Sequence, residues 1–237
     1  MLKIDMHVHT RYSDSSASVD EVLAVAQSRG LDGLAITDHQ TLEGAYEALK
    51  KKGTLIIIPG EEIKTAQGEI LALGIRKTIP EDLPMTETLQ RIHAQQGLAI
   101  LPHPTVPLFG RAKEGTLKNL QIDGLEAISA ITPLPQHFLR KNLELAKRLR
   151  VPVTAGSDSH FAKTVGDAYT IVYTESRNVG GILRAVKLGY TSIGGGPSRF
   201  AFKLGIVGRL LIRLPLSPFM SRRNPSNLDQ PFLAYTS

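Results

Sequence analysis

Apolar runs of strand length alternate with segments of helical period along most of this chain, and that alternation limits its architecture more than any other feature. Residues 2–8 read as a strand, 19–27 as a helix, 34–37 as a strand, 44–51 as a helix and 55–59 as an Ile-rich strand. The pattern continues with strands at 70–75, 98–101, 124–128, 153–155, 168–173 and 191–193, and helices at 85–96, 136–150 and 180–188. Repeated strand-then-helix units predict parallel strands joined by right-handed crossovers, in a barrel or a doubly wound sheet. About seven or eight such units favour an α/β barrel, and 237 residues suit a single one. The Gly194-Gly195-Gly196-Pro197 run is the one plausible boundary.

Composition narrows the chemistry. There is no Cys, which excludes a disulfide framework, a thiolate nucleophile and Cys-ligated metal, so any metal site must use His and carboxylates. The N-terminus lacks a basic region followed by a long apolar stretch, and is read as cytosolic. Net charge is +6, but Arg199, Lys203, Arg209, Arg213, Arg222 and Arg223, opposed by Asp229 alone, place most of it beyond residue 198. The main body is therefore close to neutral and offers no track for a long polyanion.

Metal-ligating residue types recur at the ends of the expected strands. His7 and His9 close the first, and side chains two apart on a strand face the same way. Asp14 follows a short turn. Thr37-Asp38-His39 ends the second strand, Glu61-Glu62 the third, His103 in Pro102-His103-Pro104 the fourth, and Asp158 and His160 follow the strand at 153–155. Barrel enzymes assemble their sites at this end of the strands. Five of the seven His lie there, whereas His93 and His137 fall on expected helices and read as structural. Imidazoles mixed with carboxylates suit Zn, Mn or Fe, and so many donors exceed what one tetrahedral ion uses, which points to two or three divalent metal ions.

These residues also resemble, in order, the motifs of the PHP (polymerase and histidinol phosphatase) family. The matching stretches are His7-Val8-His9-Thr10 with Ser13-Asp14, Ile36-Thr37-Asp38-His39, Pro59-Gly60-Glu61-Glu62-Ile63, Pro102-His103-Pro104 and Ala155-Gly156-Ser157-Asp158-Ser159-His160. The resemblance implies a distorted seven-stranded β/α barrel over 1–196 with a multinuclear metal centre that hydrolyses phosphoesters. It implies one ion on His7, His9, Glu62 and Asp158, a second on Asp14, His39 and His160, and a third on His103 with bridging Glu62. Family members often carry a His where this chain has Leu71, so the third ion is expected to lack a protein ligand. Asp38 is expected to orient an imidazole rather than bind metal, and Glu61 to face away from Glu62.

The expected reaction is hydrolysis of a small phosphomonoester or nucleotide by metal-bound hydroxide, with Asp14 or His160 assisting the leaving group. Arg199 after the glycine run, Lys163 and Arg111 are candidate phosphate contacts. Nuclease-like action on short oligonucleotides is the alternative within enzymes, and a non-catalytic scaffold binding RNA or a partner protein the alternative outside them. An amidohydrolase reading is weakened by the Asp158/His160 pair. Residues 197–237 are expected to form a basic amphipathic extension packed on the barrel, with a membrane surface or nucleic acid as lower-ranked partners and a disordered tail.

Overall fold

The structure, a computed structural model, describes residues 1–106, 114–117, 119–132 and 135–198. The extension beyond 198, and with it Arg199, lies outside the described residues, as does Arg111. β1 (Leu2–Val8) leads through α1 (Val19–Ser28), β2 (Gly33–Ile36) and α2 (Glu43–Lys51) to β3 (Ile56–Thr65). The chain then turns at Ala66-Gln67 into β4 (Gly68–Leu73), followed by α3 (Met85–Ala94), β5 (Leu98–Leu101), a single helical turn α4 (Glu114–Leu117) and β6 (Gly124–Ser129). α5 (Pro135–Leu149), β7 (Val153–Gly156), β8 (Ala168–Val172), α6 (Val179–Lys187) and β9 (Thr191–Gly195) complete it. Local sequence explains several ends: Ser18 and Glu21 cap α1 reciprocally, and Asn178 accepts from Gly181 N at the start of α6.

The strands form one sheet in the order β7-β6-β5-β4-β3-β2-β1-β8-β9, curled so that its two halves nearly close into a barrel. β1, β2 and β3 are mutually parallel, as are β5, β6 and β7. The expectation of parallel strands alone is corrected at three places. β4 runs antiparallel to both β3 and β5, β8 antiparallel to β1, and β9 antiparallel to β8. For β4 the reason is geometric, since a parallel return needs a crossover of about a dozen residues and Ala66-Gln67 can only reverse the chain. Sequence also ends the third strand at Pro59, whereas β3 runs on to Thr65, so Glu62 sits within a strand.

Alternation sorts the strands' side chains. Leu71 and Leu73 of β4, Leu98 and Ile100 of β5, Ile56 and Ile58 of β3 and Ile4 and Met6 of β1 fill the interior, and Ile182 and Val186 of α6 pack into the same core. Ile70 and Ala72 of β4 turn outward to Met85, Leu89 and Ile92 of α3, while Leu34 and Ile36 of β2 meet Val22 and Ala45 of α1 and α2. Each such fully buried aliphatic side chain contributes about 1.5–3 kcal/mol. The interior is thus apolar, and polar side chains gather above it, beyond the ends of the parallel strands. Among the described residues no helix is long and apolar enough to cross a membrane.

Candidate metal centre

β1 shifts register against β2 between Asp5 and Val8. Before the shift Ile4 and Met6 pack inside the barrel, and after it Val8 packs against the helices. A bulge of this kind re-aims side chains, and it brings His7 and His9 over the interior core. The seam that closes over them depends on Gly156, because a Cβ there would lie 2.5 Å from His7 Cβ and 2.7 Å from His7 N. Past the seam, Asp158 N donates to His7 O (2.8 Å) and His9 N to Ser159 O (3.0 Å). Asp158 holds φ at +52°, a left-handed conformation that L residues adopt at some cost. Its carboxylate comes within 3.5 Å of Nε2 of both His7 and His9.

The donors converge tightly. Nε2 of His7 lies 3.0 Å from Nε2 of His9, and Glu62 Oε2 is 3.1 Å from each. His7, His9, Glu62 and Asp158, all buried, each offer an atom within 4.8 Å of the others, and His9, Asp14 and His39 do the same beside them. His160 adjoins this second set, with Nε2 3.2 Å from Asp14 Oδ1. A third set joins Glu62 and His103 to Glu69 of β4, with His103 Nε2 3.4 Å from Glu62 Oε1. The structure therefore brings together His7, His9, Asp14, His39, Glu62, His103, Asp158 and His160.

Sequence reasoning missed two residues here. Glu126 of β6 accepts from His7 Nδ1 (3.1 Å) through one oxygen and from His103 N (3.2 Å) through the other. The signal in the sequence was a lone charged residue within the apolar run 124–128; the structure buries it fully, and carboxylates are rarely buried unpaired. Glu69, a charged residue opening the apolar run of β4, was the other.

The structure corrects the expectation for Asp38 and places the other residues that the sequence singled out. Among the described residues Asp38 orients no imidazole: its carboxylate accepts from Thr10 N (2.7 Å), Thr10 Oγ1 (2.6 Å) and Ser13 Oγ (2.6 Å), and so shapes the loop that carries Asp14. Glu61 faces away from the centre and accepts from Ile79 N (3.0 Å), and burial pushes its carboxyl up to about 7. Gly194 and Gly195 pair with Tyr169 and Ala168 as the end of β9, while Arg199, on which the expected phosphate loop depends, lies outside the described residues. Lys163 lies on a short 3-10 turn just past His160, exposed, with its carbonyl accepting from Arg29. His93 pairs with Asp123 at 2.7 Å, far from the centre in its contacts.

The electrostatics follow from burial and mutual charge. Burial opposes charge on His9 and His103, yet nearby carboxylates outweigh it: Asp158 and Glu62 push His9 up to about 10, and Glu62 with Asp158 pushes His103 up to about 9. His7 is raised in the same way, against burial, by Asp158, Glu62 and Glu126. Burial would raise Asp14 and Asp158, but the imidazoles around them hold both well below the usual carboxylate range. Such a lattice of opposed charges is what a site for cations looks like when protons stand in for them.

The donor chemistry fits divalent metal ions. A carbonyl only accepts, so the contacts of His39 Nδ1 with Glu62 O (3.2 Å) and of His160 Nδ1 with Asp158 O (2.9 Å) fix those nitrogens as donors. Glu126 does the same for His7 Nδ1. In each ring Nε2 is left to face the shared cup, the arrangement typical of metal-ligating His. Glu62 Oε1, nearly inaccessible to solvent, makes no hydrogen bond among the described residues.

A barrel with overlapping sets of imidazole and carboxylate donors at its mouth defines the class: an α/β barrel built to hold divalent metal ions. The PHP domain family model matches residues 5–132, and the PHP-associated model matches residues 136–191. The chain belongs to the PHP family. An uncharacterized protein of Methanocaldococcus jannaschii is 37% identical over 142 residues, covering 54% of this chain and 82% of that one. A 5'-3' exoribonuclease of Haemophilus influenzae is 30% identical over 151 residues, covering 61% of this chain and 52% of its own length. Among solved structures, a two-domain protein of Bacteroides vulgatus containing a PHP-like metal-dependent phosphoesterase has a TM-score of 0.69 at 18% identity, over 82% of this chain and 65% of that one. This chain thus spans about half of the exoribonuclease and less than two thirds of the solved protein, and the structural likeness is one of fold.

Proposed function

We propose that this protein is a metal-dependent phosphoesterase whose substrate is a small phosphomonoester or a nucleotide. The observation that carries this reading is the convergence of His7, His9, Glu62 and Asp158, with His9, Asp14 and His39 alongside, on one buried cup. His7, His9, Glu62 and Asp158 would hold one divalent cation, and Asp14, His39 and His160 with His9 a neighbouring one. Bound there, such cations supply hydroxide near neutral pH and neutralise the charge of a phosphoryl group.

The remaining work falls to this chain's own side chains. Glu126 keeps His7 in a fixed tautomer and orientation, and the Glu62 and Asp158 carbonyls do the same for His39 and His160. The buried floor of leucines and isoleucines keeps water from entering beneath the cup and strengthens every charge interaction within it. Asp14 and His160, 3.2 Å apart and more accessible than His7 and His9, would assist the departing alkoxide by orienting the water that protonates it, since as ligands neither keeps a proton of its own to give.

Removal of nucleotides from short oligonucleotides is the second reading, supported by the similarity to the exoribonuclease. The small-substrate reading is favoured by charge, since residues 1–198 are nearly neutral and long nucleic acids are bound through many phosphate contacts. A turnover screen with Mn²⁺ against nucleotides, sugar and amino-alcohol phosphates and short oligonucleotides tests both. Release of inorganic phosphate from a small ester, abolished by EDTA and by Asp158→Asn, is expected. Purified protein that binds no divalent metal, or binds it and cleaves no phosphoester, would overturn the assignment in favour of a scaffold.

A further inference from the structure

The third donor set contains a side chain that the mechanism above leaves unused. In the β3–β4 ladder Leu71 stands opposite Glu62 and packs into the interior core, and Glu69, two residues earlier on the same face, lies beyond that core at the mouth. Lys64 stands opposite Glu69 in the ladder, but its ammonium goes to Asp82 at 3.4 Å. Glu69 Oε2 is buried with no hydrogen bond among the described residues, and so is Oε1 of Glu62, a residue only 3% exposed. Atoms of these two carboxylates and of His103 lie within 4.8 Å of one another. Among the described residues Glu62 Oε1 has only His103 Nε2 near it, at 3.4 Å, and Glu69 Oε2 has no donor, so two neighbouring carboxylates share one imidazole and a further positive charge between them would relieve their repulsion.

We propose that Glu69 is a metal ligand, completing with Glu62 and His103 a third divalent-cation position, an assignment that rests on the metal-dependent reading of the whole centre. Leu71 removes a donor from β4, and Glu69 supplies one from the same face of the same strand. Two carboxylates and one imidazole make this position richer in oxygen than the His7/His9 position. Oxygen donors suit harder cations such as Mn²⁺ and Mg²⁺, whereas imidazole favours Zn²⁺. The third position should therefore show a narrower preference for Zn²⁺ over Mn²⁺ than the other two.

Equilibrium dialysis of the full chain against Mn²⁺, followed by elemental analysis and competition with Zn²⁺, tests this without reference to turnover. Glu69→Gln is expected to hold one fewer Mn²⁺ than the parent, or to bind its weakest Mn²⁺ at least about tenfold less tightly, with the tighter ions retained as evidence of an intact fold. Glu69→His is expected to restore the lost ion while widening its preference for Zn²⁺. Unchanged Mn²⁺ stoichiometry and affinity in Glu69→Gln would overturn the role of Glu69 alone. A parent protein that takes up no Mn²⁺ or Zn²⁺ at all would instead overturn the metal-dependent reading on which it rests.

Discussion

Replacing Glu62 by Gln removes one negative charge at constant shape from the most crowded point of the centre. Glu62 Oε2 lies 3.1 Å from Nε2 of His7 and of His9 and 3.7 Å from that of His39, and Oε1 lies 3.4 Å from Nε2 of His103. In protein stripped of metal, His7, His9 and His103 carry protons at neutral pH because neighbouring carboxylates overcome their burial. Removing one partner of a buried ion pair costs about 3–5 kcal/mol, and Glu62 serves several partners, so the upper half of that range is expected. For a chain of this size about 2–4 °C of melting temperature accompanies each kcal/mol, which gives a loss of roughly 8–20 °C.

The pH dependence of that loss is the sharper test. Imidazoles raised above their unfolded value stabilise the fold fully below about pH 6.5 and lose that contribution as pH climbs through their folded values. Those values are about 10 for His9 and about 9 for His103. The penalty of Glu62→Gln in metal-stripped protein should therefore be largest near pH 6 and shrink toward pH 10, where Glu62 becomes a buried charge without charged partners. Differential scanning calorimetry of EDTA-treated, dialysed parent and variant across this range measures it. A loss under about 2 °C at pH 6, or one that stays constant to pH 10, would refute the account of the centre as a network of mutually neutralising charges.

Metal uptake should release protons, since cations displace them from His7, His9 and His103; titration calorimetry at pH 7.5 in buffers of different ionisation enthalpy should return up to about three protons, with affinity rising with pH. Glu126→Gln, which weakens the hold on His7 Nδ1 and His103 N, should lower metal affinity about 10–100-fold in equilibrium dialysis while far-UV circular dichroism stays unchanged. Gly156→Ala sets a methyl group 2.5 Å from His7 Cβ and must spread the β7–β1 seam; urea denaturation should show a loss of about 1–3 kcal/mol, together with weaker metal binding.

Much of the centre was legible because its parts are local. The two-residue spacing of His7 and His9, the opposed faces of Glu61 and Glu62 and the position of Asp158 just past a strand depend on chain geometry over a few residues. The antiparallel turn into β4 was not legible, because the apolar pattern ends the third strand at Pro59 and only the structure carries β3 on to Thr65, leaving Ala66-Gln67 as a turn too short for a crossover. The partners of Asp38 were not legible. A carboxylate beside His39 has the pattern of an imidazole's support, and only packing set the Thr10–Ser13 loop against it.

By itself, the sequence determined a barrel of alternating elements with ligand side chains at the strand ends, because periodicity and spacing act within each element. Tertiary structure alone decided that Glu126 grips a His7 lying 119 positions earlier and that Ser157 N, 152 positions beyond Asp5, donates to the Asp5 carboxylate at the seam. It also decided that Glu69 rather than Leu71 reaches His103. Those outcomes depend on strand register and barrel closure, which are fixed by packing the whole interior at once, and a register shift of one residue would carry every one of these side chains to the opposite face.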